Sequence, residues 1–61
     1  MEPENIKPGD IVRIAALDDI PEHDFEVLSV EEDCLTGIAR SGPFAGEYGE
    51  PDLDLVLTRQ L

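Results

Sequence analysis

The chain has 61 residues, which limits it to one small domain. A chain this short buries only about 60% of its unfolded surface. Its single cysteine, Cys34, excludes an intrachain disulfide, and one Cys with one His (His23) cannot furnish the ligands of a structural zinc site. Fifteen acidic against four basic side chains give a formal net charge of −11, the wrong sign for nucleic-acid phosphates or anionic lipid and the right one for steering a basic protein.

No apolar run approaches the roughly 20 residues of a membrane span. The opening "MEPENIKPGD" has neither the basic nor the apolar region of a signal peptide. A lone unpaired cysteine fits a reducing compartment, so a cytoplasmic location is expected. The apolar residues make up 41% of the chain and fall in periodic clusters between turn signals, the pattern of a folded chain.

In chain order, residues 1–5 read as a flexible solvated tail. In "IKPGDIVRI", Pro8 suits position i+1 and Gly9 position i+2 of a type II turn. The turn launches a β-branched strand over residues 11–16, with Val12 and Ile14 on one face and Ile11 and Arg13 on the other. Residues 16–24 form an acidic loop that Pro21 keeps out of any central strand, pinned at its middle by Leu17 or Ile20. A second strand spans residues 25–30. Its apolar phase switches between Phe25/Val27 and Leu28/Val30, which signals a bulge near Val27 or burial on both faces.

Residues 31–33 are a polar hairpin tip. "CLTGIAR" is a third strand, with Gly37 marking a bend or a close backbone approach. Residues 41–51 are a long excursion. "DLDLVLT", residues 52–58, alternates strictly: Asp52 and Asp54 face water, and Leu53, Leu55 and Leu57 face a core. Residues 59–61 close the chain as a turn or final strand. Four to five short antiparallel strands in so few residues fit one bent sheet that curls on itself. The expected core is Val12, Ile14, Phe25, Leu28, Val30, Ile38, Leu53, Leu55 and Leu57.

The stretch "KPGDIVRI" followed by an acidic loop and "FEVLSV" resembles the opening of SH3-like small barrels. KOW-type ribosomal modules and small accessory subunits of photosynthetic electron-transfer complexes open in this way. The resemblance covers about half of the chain. It implies a single all-β, SH3-like barrel over residues 1–61 and implies no particular activity. The polyproline groove of peptide-binding SH3 domains is lined by several aromatics, whereas this chain has no Trp and only Phe25, Phe44 and Tyr48.

Little in the chain suggests catalysis. Gly42, Gly46 and Gly49 precede no helix and are interleaved with Glu47 and Glu50, unlike a phosphate-binding loop. They instead permit positive φ in a tight excursion. Asp18-Asp19 and Glu31-Glu32-Asp33 lack the spacing of a calcium loop. His23 beside Asp24 has no nucleophile placed with it, and Asp33 next to Cys34 disfavours a thiolate. No enzyme activity, cofactor or metal is therefore expected.

Phe44 and Tyr48 are two of the three aromatics and share the excursion with Glu47 and Glu50. Either both rings cap the core, or one stays exposed as an anchor flanked by carboxylates. The expectation is a small interaction module, an accessory subunit or adaptor, binding a basic protein through Phe44, Glu47, Tyr48 and Glu50, with homo-oligomers possible. The alternative is a nucleic-acid mimic occupying the groove of a DNA- or RNA-binding protein.

Overall fold

The computed structural model describes residues 6–60; the tail read over residues 1–5, and Leu61, lie outside them. The Pro8–Gly9 turn forms as its residues dictate. Gly9 takes φ +95°, the Asp10 N–H donates to the Lys7 carbonyl at 3.1 Å, and the Asp10 carboxylate accepts from the Lys7 N–H at 3.0 Å. The Gly9 N–H donates to the Val27 carbonyl at 2.8 Å, which ties the turn to the middle of the next strand.

Strand β1 (Ile11–Ile14) follows, then β2 (His23–Val30), β3 (Leu35–Ala39), β4 (Tyr48–Gly49) and β5 (Val56–Gln60), with a 3-10 turn over Leu53–Leu55 before β5. All pairings are antiparallel, and the sheet order is β4-β3-β2-β1-β5. The all-β, antiparallel class read from the sequence is thus observed, including a final strand at the C-terminal end. The sheet is not closed into a barrel: among the described residues no ladder joins its edge strands β4 and β5. The 3-10 turn spans that open side instead. The Leu53 N–H donates to the Asp33 carbonyl at 3.1 Å, and the Leu55 carbonyl accepts from the Ala15 N–H at 2.8 Å.

One face of the sheet buries Ile6, Val12, Ile14, Phe25, Val27 and Leu35, against which Leu53, Leu55 and Val56 pack. Phe25 lies at its centre, directly opposite Val12 on β1 and Ala39 on β3. A fully buried Phe contributes about 1.5–3 kcal/mol through apolar burial. The ring fits because position 37 has no side chain. A Cβ there would stand 2.7 Å from the Phe25 ring and overlap the Glu26 carbonyl oxygen. The sequence signal at Gly37 is therefore a close approach.

Four expected core positions differ. Leu28 is the extra residue of a bulge between Val27 and Ser29, so it has no partner on β3 and is exposed. Val30 pairs with buried Leu35 but sits at the sheet end and stays partly open to solvent. Ile38 is only half-buried, because Leu35, Gly37 and Ala39 occupy the inward phase of β3. Residues 53–55 wind as a 3-10 turn where a strand was expected. A turn of three residues advances each side chain by about 120°, against about 180° in a strand. Leu55 and Val56 consequently both lie inward, and Leu57 is exposed.

Two substitutions test this phase. Leu35→Ala should cost about 2–5 kcal/mol, whereas Leu57→Ala should stay within about 0.5 kcal/mol. Urea titrations followed by circular dichroism measure both, and the reverse ranking would contradict the observed register. Gly37→Ala forces overpacking that costs about 1–3 kcal/mol or more, and it should abolish most of the cooperative transition of so small a domain.

Candidate functional site

The connections β1–β2 and β3–β4 lie at the same end of the sheet, and a cleft of about 420 Å³ opens between them. Its floor includes Ile14, Phe25, Ala39 and Leu55, and residues 47–52 form one wall. The opposite rim comes from the β1–β2 connection. There Leu17 and Ile20 exchange two backbone hydrogen bonds of 2.8 Å around a two-residue turn, and Asp18 adopts φ +52°. A positive φ is uncommon for a residue other than glycine, and aspartate tolerates it better than most. The turn holds Leu17 and Ile20 side by side at 48% and 39% exposure. They do not pin the loop into the core as the sequence suggested.

The β3–β4 connection is built from consecutive tight turns. Gly42 and Gly46 have φ of +80° and +91°, as expected of permissive glycines. Gly49 does not; it is a strand residue packed near the Phe25 ring, where an added Cβ would stand 3.7 Å from it in ordinary contact. The Ala45 N–H donates to the Gly42 carbonyl at 3.2 Å and the Glu47 N–H to the Phe44 carbonyl at 2.9 Å. The loop is anchored to β2 through the Ser41 hydroxyl, which accepts from the Asp24 N–H at 2.9 Å.

All four sequence-predicted residues, Phe44, Glu47, Tyr48 and Glu50, border the cleft. Neither ring is a core cap: Phe44 is 45% and Tyr48 57% exposed. The register separates them. Tyr48 pairs with Ile38, and opposed residues share a face, so its ring stands on the outer face of the sheet and its backbone meets the cleft. There its hydroxyl donates to Glu50 Oε2 at 3.0 Å. This hydrogen bond, then desolvation and the Glu50 charge, hold the phenol pKa above its ordinary value of 10.0.

The charges are divided between surfaces. Arg13 Nε lies 3.5 Å from Glu22 Oε2 and 3.3 Å from Asp24 Oδ1. Arg40 Nη1 lies 3.0 Å from Glu26 Oε1. Asp24 Oδ1 is buried and makes no hydrogen bond among the described residues, so the nearby guanidinium is what compensates it. Among the described residues no lysine or arginine lines the cleft, whereas Glu47, Glu50 and Asp52 do.

His23, expected in a loop, is the first residue of β2. Its Nδ1–H donates to the Pro21 carbonyl at 2.8 Å, and its ring meets Phe25 edge-on at 6.4 Å between centroids. Cys34 is half-buried. Desolvation, then the carboxylate of Asp33 and those of Glu50, Glu31 and Asp52, push its thiol pKa up, which keeps it a weak nucleophile. Among the described residues no three His, Cys, Asp or Glu side chains come together in a way that could hold a metal ion. No helix among them is long and apolar enough to cross a membrane. Comparison with known protein families, with curated proteins and with solved structures finds no match for this chain.

Sequence reasoning missed Leu17 and Ile20 as rim residues. The signal was present in "LDDI", where two apolar residues bracket a two-residue polar turn.

With one Tyr and no Trp, absorbance at the phenolate band reports Tyr48 alone. Its midpoint should lie above the ordinary value and fall toward it in Glu50→Gln. Because the folded-state pKa is raised, the associated stabilisation is present below the unfolded pKa and is lost as pH rises through the folded one. An unchanged midpoint in Glu50→Gln would contradict the hydrogen bond.

Proposed function

We propose that the chain is a non-catalytic protein-interaction module of SH3-like topology, an accessory subunit or adaptor that docks a basic protein against its acidic, apolar-floored cleft. The sheet order β4-β3-β2-β1-β5, the protruding β1–β2 connection and the 3-10 turn before β5 support the topological part. The observation that carries the functional part is the division of charge. Among the described residues Glu47, Glu50 and Asp52, and no Lys or Arg, line an exposed apolar surface, while Arg13 and Arg40 are paired to acids elsewhere. Fields of one sign raise the association rate of an opposite partner, and aromatic anchors supply affinity. Phe44, Glu47, Tyr48 and Glu50 are assigned to this contact. A cytoplasmic setting belongs to the same proposal, since it keeps Cys34 reduced.

The immobilised chain should capture proteins with basic surfaces from a native lysate. Glu47→Lys with Glu50→Lys should reduce that capture by about tenfold while leaving the melting midpoint within about 2 °C. Equal capture by the charge-reversed chain would contradict the proposal. Displacement of the captured protein by duplex DNA would favour the nucleic-acid mimic instead.

A further inference from the structure

The cleft runs along an open sheet edge, and the orientation of that edge specifies a ligand. β3 pairs with more of the chain than β4 alone. The Ala39 N–H donates to the Glu47 carbonyl at 3.0 Å, and the Leu35 N–H to the Pro51 carbonyl at 2.9 Å. Gly37 pairs with Gly49 between them. In an antiparallel ladder successive residues point their backbone groups to alternate sides. If residues 47, 49 and 51 bond toward β3, the N–H and C=O groups of Tyr48 and Glu50 point away from it, along the wall of the cleft.

Pro51 does not blunt this edge. The donor it lacks would have faced β3, and the outward donors belong to Tyr48 and Glu50. Side chains alternate across the same edge. Glu47, Gly49 and Pro51 share the phase of the buried residues Ala39, Gly37 and Leu35, so that side is small and largely apolar. Tyr48 and Glu50 share the outer phase of Ile38 and present an aromatic ring and a carboxylate.

We propose that the cleft receives an extended segment of a partner protein as an added β-strand along the β4 edge. Its inward side chains are aliphatic and lie between Leu17, Ile20 and Phe44. Its alternate, outward side chains are Lys or Arg and stand beside Tyr48 and Glu50. This inference rests on the reading of the chain as a module for basic proteins and deepens it to a binding mode. Charge complementarity selects the occupant. A second copy of this chain would bring Glu47 and Glu50 against their own counterparts at a net charge of −11 each. A lysine-bearing strand gains backbone hydrogen bonds, apolar burial and opposite charge together. Residues 47–52 span about 20 Å at roughly 3.3 Å per residue, so a probe of about eight residues covers the wall.

The test uses the full chain and fluorescence anisotropy with labelled peptides. (Lys-Val)4 is compared with (Lys-Gly)4, which has the same charge and no apolar side chains, and with (Glu-Val)4. Two further forms of (Lys-Val)4 carry N-methyl groups on all lysines or on all valines. (Lys-Val)4 should bind, (Lys-Gly)4 about tenfold more weakly, and (Glu-Val)4 not at all. Only alternate N–H groups can face β4, so one N-methylated form should lose about tenfold and the other should keep its affinity. Phe44→Ala and Leu17→Ala, each with a melting curve to confirm folding, should each weaken (Lys-Val)4 binding by about tenfold.

Equal binding of (Lys-Gly)4 and (Lys-Val)4 would overturn the inference while leaving attraction to basic partners intact. Equal effects of the two methylation patterns would overturn strand pairing. Absence of (Lys-Val)4 binding at about 1 mM would overturn the inference, and capture of basic proteins would then have to proceed by another surface. Sedimentation should show a monomer without peptide, and a dimer would overturn the choice of occupant.

Discussion

The packing of the Phe25 ring onto the backbone of Gly37 is the contact on which the rest of the molecule depends. The ring lies against two glycines, Gly37 on β3 and Gly49 on β4; a Cβ at Gly37 would clash with it, whereas one at Gly49 would meet it at ordinary van der Waals distance. This closeness draws β3 onto β2 at Val27, next to the point where the ladder slips and Leu28 is extruded. It also brings the β4 wall within van der Waals reach of the core. The same ring then serves as the floor of the cleft. Core and candidate site are therefore one structure, and a change that loosens Phe25 alters both.

Much of the fold was legible wherever a residue's own conformational preference decided the outcome. Pro8 and Gly9 define their turn by fixed and positive φ, and the chain between them and Ile14 has no competing choice. The phase switch in "FEVLSV" announced the bulge, because a strand cannot otherwise move its apolar residues from one face to the other. What failed depended on tertiary contact. Gly37 carries no side chain, so its inward orientation left no apolar mark and Ile38 was assigned the face that belongs to its neighbours. In "DLDLVL" the alternation of Leu with Asp imitates a strand. The chain must instead turn to pass from the β3 edge to β1, and a 3-10 turn with two half-buried leucines satisfies that path.

The site was half legible for the same reason. Phe44, Glu47, Tyr48 and Glu50 stood out by composition, and all four border the cleft. Their division into inward and outward residues follows from the pairing of Tyr48 with Ile38, which no local pattern specifies. The facing rim is built by the Leu17–Ile20 turn, some thirty residues away in the chain. Asp18 there adopts a left-handed backbone that aspartate tolerates better than most residues. The turn and its two backbone hydrogen bonds hold two aliphatic side chains together at the surface, where they add little to the core.

The central claim is that the sheet is left open along β4 and that the opening is the binding surface. Amide hydrogen exchange read by NMR tests it most directly. In the free chain, the amides of Phe25 and Val27 should exchange slowest, while those of Tyr48 and Glu50, turned away from β3, should exchange nearly as fast as in an unstructured peptide. Saturation with a strand-forming cationic peptide should slow Tyr48 and Glu50 by about tenfold or more and leave Phe25 and Val27 close to their free-state values. Strong protection of Tyr48 and Glu50 in the free chain would mean that this edge is already paired, and the account would be wrong.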